Sequence, residues 1–156
     1  LMNIFNKKLL FKYCNYFLFI FVLFHFSNLK SADIKSGSQE DLIVNIGDRV
    51  FFNYDETNLD LDNDAQEILQ DQAAWIRKYD AKVVIEGHAD ERNSFDYALA
   101  LGEKRAQWVK NYLIRKGVSP ANISTITYGS ERPAVVGSND AAWAQNRRAV
   151  TTVVKY

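Results

Sequence analysis

The chain has 156 residues with 19 basic and 19 acidic side chains and 47% hydrophobic content, enough for one ordinary core and too little for two. Its formal charge of +0 conceals a division: Lys7, Lys8, Lys12 and Lys30 are the only charges before Asp33, so the remainder holds 15 bases against 19 acids, a formal −4. An acidic body lacks the basic face that a nucleic-acid module needs, so nucleic acid is excluded as an expected partner.

Residues 1–32 read as a leader. Asn6-Lys7-Lys8-Leu9-Leu10-Phe11-Lys12 is basic, and Tyr16 to Phe26 is an apolar run of 11 residues. That is short for a bilayer span of about 20 residues and fits the apolar region of a secretory signal, which predicts a periplasmic domain. Ser31-Ala32 offers small residues for cleavage, although Lys30 occupies a position where another small residue is preferred. An uncleaved anchor is the alternative, with Leu9 to Phe26 spanning while Lys12 snorkels. Cys14, the sole cysteine, precedes the apolar run. An internal disulfide and a cysteine metal site are therefore not expected, and no cysteine stands behind the run to take a lipid.

Residues 33–41 are polar and small and predict a flexible linker, with the domain proper over 42–156. Leu42-Ile43-Val44 and then Val50-Phe51-Phe52 with Tyr54 are β-rich, interrupted near Gly47, and predict a first strand ending near Asp55. From Asp62, apolar residues at spacings of three and four (Ala65, Ile68, Leu69, Trp75, Ile76) predict a helix to about Tyr79, capped by Asp62 or Asn63. Lys82 to Glu86 is a short β-branched strand closed by Gly87. A second helix is expected over Phe95 to Lys116, stopped by Gly117. Ile123, Ile126 and Tyr128 mark another strand, Ala141 to Gln145 a helical turn, and Ala149 to Val154 the last strand. This order predicts an α+β fold with two main helices on one face of a mixed sheet.

Arg105 is out of place in this pattern. It lies four residues after Leu101 and four before Val109, on the apolar stripe of its helix. A guanidinium there needs partners, and an internal salt bridge is one way to supply them. Asp90 offers another reading. It follows a strand, a Gly and a His, at a strand end where sites collect. If Asp90 and Arg105 pair with each other the site is closed; if they stand apart they can grip the two halves of a zwitterion, an ammonium and a carboxylate.

His88 invites a metal or catalytic reading beside Glu86 and Asp90, and strict alternation would put all three on one side. One imidazole is too few for zinc, so neither metal nor cofactor is expected, and His88 is read as orienting the turn or bonding to backbone. Tyr54 and Asp55 would flank the same pocket if the first two strands are neighbours; packing and a turn are the plain alternatives. Arg147 and Arg148 are adjacent, so in an extended segment only one can serve the pocket. No phosphate loop, dinucleotide fingerprint or nucleophile elbow is present.

From Val50 to Tyr156 the chain resembles the OmpA-like peptidoglycan-binding domain family, most closely its lipid-anchored members. The resemblance is carried by Val50-Phe51-Phe52-Asn53-Tyr54-Asp55, by Glu86-Gly87-His88-Ala89-Asp90-Glu91-Arg92 and by Leu101-Gly102-Glu103-Lys104-Arg105-Ala106. It continues through Tyr128-Gly129, Arg132-Pro133-Ala134-Val135 and Asn146-Arg147-Arg148-Ala149-Val150. It implies a βαβαβ(β) two-layer sandwich with a mixed four-stranded sheet that binds the peptidoglycan stem peptide without catalysis, centred on meso-diaminopimelate. By that resemblance Asp90 takes the ammonium, Arg105 the carboxylate, Tyr54 and Asp55 border the ligand and Leu101 forms an apolar wall. The implied partners are peptidoglycan and the Tol proteins, chiefly TolB, in an envelope role supporting integrity and division. Family members have Gly where this chain has Asn93, which is expected to take a left-handed turn. They have Asn where it has Ala98, a change expected to remove a polar group from the pocket's rim. The rival is a cell-wall hydrolase using Asp90 or Glu86 as acid with His88 assisting; a stator or porin tail of the same family would need a longer membrane segment.

Overall fold

A computed structural model describes residues 34–60 and 62–154, and the leader expected over 1–32 lies outside them. The first element corrects an expectation. Leu42-Ile43-Val44 is not a strand but lies in helix α1 (Gln39–Asn45), whose first turn is capped by the Ser38 hydroxyl accepting from the Asp41 amide at 3.2 Å. Only Leu42 of the three is buried, while Ile43 and Val44 face solvent. The capping residue and the spacing from Leu42 to Ile46 outweigh the β-branched content, and Gly47, at φ 97°, ends the turn.

The compact unit starts at Lys35, ahead of the boundary expected at 42. The Gln39 side chain donates to the Thr151 carbonyl at 3.3 Å and accepts from the Val153 amide at 2.6 Å. Trp75 Nε1 donates to Asp41 at 2.9 Å, which ties α1 to the next helix.

β1 (Arg49–Phe51) is shorter than expected: the Phe52 amide still donates to the Arg147 carbonyl at 2.9 Å, but beyond it Tyr54-Asp55 forms a turn with Asp55 at φ 59°. Helix α2 (Asn63–Tyr79) is capped by Asp62, whose carboxylate accepts from the Ala65 amide at 2.9 Å, and ends at Asp80 in the left-handed region. Then follow β2 (Val83–His88), α3 (Phe95–Arg115), a 3-10 turn, β3 (Ile123–Gly129), α4 (Asp140–Asn146) and β4 (Arg148–Val153).

The sheet order is β1-β4-β2-β3, with β2 and β3 parallel and the other pairs antiparallel. This is the mixed four-stranded α+β sandwich that was expected. Leu69 and Ile76 of α2 and Val109 and Leu113 of α3 share one core with Val50, Val83, Ile85, Ile123 and Ala149 of the four strands. Along β2, Val83 and Ile85 face the helices, while Val84 and Glu86 on the other face are half-buried. The last strand inserts between the first and second, so β1 and β2 are not neighbours. Among the described residues, no helix is long and apolar enough to cross a membrane.

Two glycines set the spacing between layers. A Cβ built on Gly87 of β2 would lie 1.9 Å from the carbonyl oxygen of Gly102 in α3, and one on Gly102 would lie 2.4 Å from Thr127 Oγ1. The backbones of α3 and β2 are therefore in direct contact. That contact fixes the height of Arg105, one turn beyond Gly102, over the end of β2.

Candidate functional site

β2 delivers His88 to the sheet end, the Ala89 amide donates to the Gly129 carbonyl at 2.9 Å, and the chain turns out at Asp90. The Asp90 side chain holds this turn itself: Oδ1 accepts from the Arg92 amide at 3.1 Å, the local geometry aspartate favours. Oδ1 also accepts from Arg92 Nε at 3.1 Å and Oδ2 from Arg92 Nη2 at 2.7 Å, a two-pronged pair, while Arg147 Nη1 reaches Oδ2 at 3.3 Å. Burial, with only 3% of Asp90 exposed, works against its charge. The hydrogen bonds from Arg92 and Arg147 outweigh that cost and hold the carboxyl below its ordinary value.

Arg105 is 0% exposed on the inner stripe of α3. It does not pair with Asp90. Its Nε donates to the Glu56 carbonyl at 2.8 Å, Nη1 to the His88 carbonyl at 2.8 Å and Nη2 to the Asn53 carbonyl at 3.1 Å. Its guanidinium also lies over the Phe52 ring at 5.0 Å. Burial, and after it Arg147, push its pKa down to about 10, against the pull of Asp90, Asp55 and Glu56; it remains a cation at neutral pH. Three of a guanidinium's five donors are thus spent on backbone, two of them on the turn that contains Tyr54 and Asp55.

The other expected residues converge on the same sheet end. Tyr54 is half exposed, with Arg92 stacked on its ring at 4.2 Å. Asp55 accepts the Tyr97 hydroxyl, and that bond raises the tyrosine's pKa. Leu101 packs beneath with Ala89 and Ala98. The turn reaches Asp90 although β4 separates β1 from β2, because Arg147, just before β4, donates to the Phe52 carbonyl at 2.9 Å as well as to Asp90. Arg148 points the other way, to the carbonyls of Asn146 and Arg132. An open groove of about 790 Å³ runs alongside, bordered by Phe52, Asn53, Glu56 and Arg147.

Three expectations need correction. Asn93 has no positive φ, so no left-handed turn is required of it. Ala98 is fully buried against Leu101 and is not on the rim. Alternation also fails at the strand end, where the register shifts between Gly87 and His88. Glu86 and His88 lie toward Arg148, whereas Asp90 turns to Arg147.

His88 is 1% exposed, and neither ring nitrogen has a hydrogen-bond partner among the described residues. The Glu86 carboxylate is 3.7 Å away, and the ring packs against Tyr128 at 5.6 Å. Only its backbone carbonyl serves the site, by holding Arg105. Burial, then Arg148, Arg132 and Arg49, push the imidazole from 6.5 down to about 4. The unfolded chain therefore takes up this proton at a pH where the folded domain still refuses it. Stability should be full above about pH 6.5 and decline as pH falls toward 4. Asp90 adds its own loss only lower, as pH falls through its depressed value. Urea midpoints measured across that window should show the decline in the parent chain and a flatter profile in His88→Phe; parallel profiles would remove His88 as the cause.

Sequence reasoning missed Arg92 and Trp143. Arg92 was legible as the third residue of an Asp-x-Arg turn. Trp143, with Arg92 over its ring at 4.4 Å and its Nε1 donating to Glu91 at 3.2 Å, gave no local signal. Among the described residues no acid, histidine or cysteine cluster could hold a metal ion.

A model of the OmpA family matches residues 51–147. The chain is 48% identical over 118 residues to the peptidoglycan-associated lipoprotein of Mesorhizobium japonicum, covering 75% of this chain and 69% of that one. It is 46% identical to the protein of the same name from Agrobacterium fabrum, again over 75% of this chain and 66% of the relative. The crystal structure of the peptidoglycan-associated lipoprotein from Burkholderia pseudomallei superposes with a TM-score of 0.67 at 32% identity, covering 73% of this chain and 100% of that one. The C-terminal domain of Helicobacter pylori MotB reaches 0.62 at 23% identity over 70% of this chain and 85% of that one, a likeness of fold alone.

Proposed function

The chain belongs to the OmpA family, and from that premise we propose that it binds peptidoglycan in the cell envelope by holding the meso-diaminopimelate of the stem peptide, without catalysis. The carrying observation is that a buried anion and a buried cation share one sheet end without pairing: Asp90 is held by Arg92 and Arg147, Arg105 by backbone carbonyls. A free amino-acid centre presents the complement, an ammonium for Asp90 and a carboxylate for Arg105. Tyr54 and Asp55 border it, and Leu101 forms the apolar floor. The carboxylate would take the place of the Asn53 and Glu56 carbonyls, so binding involves movement of that turn.

Hydrolysis fits less well. A carboxyl held below its ordinary value by two arginines is a poor proton donor, and the His88 ring lies on the other side of the strand end. The relatives' name, peptidoglycan-associated lipoprotein, supports an envelope role. We further propose that this domain ties the wall to the outer membrane side of the periplasm, with TolB and other Tol proteins as partners in envelope integrity and division.

Asp90→Asn keeps the side chain's shape and removes its charge. Retention on purified peptidoglycan should fall roughly 10- to 100-fold, the worth of a charge-assisted hydrogen bond. Retention by the parent should also weaken as salt is raised. Undiminished retention by Asp90→Asn in a folded chain would sink the assignment.

A further inference from the structure

The Asp90 carboxylate is already filled from within. Arg92 lies two-pronged on both of its oxygens, at 3.1 and 2.7 Å, and its guanidinium is sandwiched between the rings of Tyr54 at 4.2 Å and Trp143 at 4.4 Å. One acid and two aromatic faces around a single point make a cation cage. We propose that Arg92 is an internal occupant of the ammonium subsite, a latch that the ligand's ammonium must displace, and that Trp143 is a wall of that subsite. This rests on Asp90 being the ammonium acceptor.

The two arginines on Asp90 are not equivalent. Arg147 is anchored a second time, on the Phe52 carbonyl, and its side chain is 15% exposed. The Arg92 side chain is 29% exposed, and among the described residues its side-chain hydrogen bonds all go to Asp90. It can therefore swing outward while Arg147 stays, and Asp140 is near enough to favour its charge. The second acid of the site is closed in the same manner, by the Tyr97 hydroxyl on Asp55. The free domain thus holds a self-satisfied form, and only its open fraction accepts ligand, which lowers apparent affinity by that fraction. A latch of this kind also discriminates. A ligand lacking an ammonium gives Asp90 nothing in exchange for Arg92, so a bare carboxylate gains too little from Arg105 to open the site.

The test is calorimetric titration of the full chain with free meso-diaminopimelate, using Arg92→Gln, Arg92→Lys and Asp90→Asn, with tryptophan emission followed in parallel. Removing the latch should tighten binding roughly ten-fold in Arg92→Gln, with Arg92→Lys in between. Ligand should change Trp143 emission in the parent, as the cation leaves the ring, and much less in Arg92→Gln; Trp143→Phe separates this signal from Trp75 and Trp108. Binding by Arg92→Gln that equals or falls below the parent's, while Asp90→Asn abolishes it, would overturn the latch and leave the site standing. Equal binding by Asp90→Asn and the parent would instead overturn the underlying assignment.

Discussion

Arg105→Ala is expected to destabilise the domain by about 3–5 kcal/mol and to abolish retention on peptidoglycan. The residue is wholly buried, and its removal orphans the carbonyls of Asn53, Glu56 and His88 together with the cavity left over Phe52. The buried His88 carbonyl costs about 1–3 kcal/mol when left unsatisfied, whereas the part-buried carbonyls of Asn53 and Glu56 can turn to water, so the cavity left by the side chain carries the rest. Arg105→Lys separates stability from binding. Lysine keeps the charge but presents a single ammonium where the three carbonyls approach a planar fork from different directions. It should recover part of the stability and none of the retention. Urea unfolding and a peptidoglycan pull-down on the three chains decide the matter, and a lysine variant that binds like the parent would show that only the charge matters.

Gly87→Ala should be nearly as damaging, though it touches no ligand. The new methyl would fall 1.9 Å from the Gly102 carbonyl oxygen and 2.5 Å from its carbon, both backbone atoms that cannot rotate away. Helix α3 must lift from β2, at a cost of about 3 kcal/mol by overpacking. The lift separates Arg105 from the His88 carbonyl, which lies one residue beyond Gly87, so retention should fall even at temperatures where the variant is folded. Gly102→Ala would place its methyl 2.4 Å from the Thr127 hydroxyl and 2.8 Å from the Gly87 carbonyl oxygen, so it is expected to strain the same seam from the helix side. Equal urea midpoints for Gly87→Ala and the parent would refute the close-contact account.

The helices α2 and α3 were legible because each carries a strong apolar period, with a cap at Asp62 before the one and a stop at Gly117 after the other, and the mixed sheet followed from their alternation with β-rich runs. Arg105 was legible because a charge on an apolar stripe breaks the pattern. What local pattern could not supply was pairing order. The insertion of β4 between β1 and β2 depends on which edges meet, and it makes Arg147 the bridge between the Tyr54-Asp55 turn and Asp90. The helical state of Leu42 to Val44 was hidden because β-branched residues suggested a strand, while the deciding signal was one hydroxyl at Ser38. The Asp-x-Arg turn made the pairing of Arg92 with Asp90 legible, but not the two rings beside it: Tyr54 and Trp143 reach Arg92 from distant parts of the chain.

The fastening of α1 on the far end of β4 has a mechanical meaning. Gln39 grips Thr151 and Val153, near the strand's last residues, while Arg147 just before its first residue reaches Asp90. Tension entering through α1 and resisted at Asp90 would run along β4, whose ladders to β1 and β2 lie on both sides. Those hydrogen bonds stand perpendicular to the strand. A pull along it therefore loads them together in shear instead of opening them one by one.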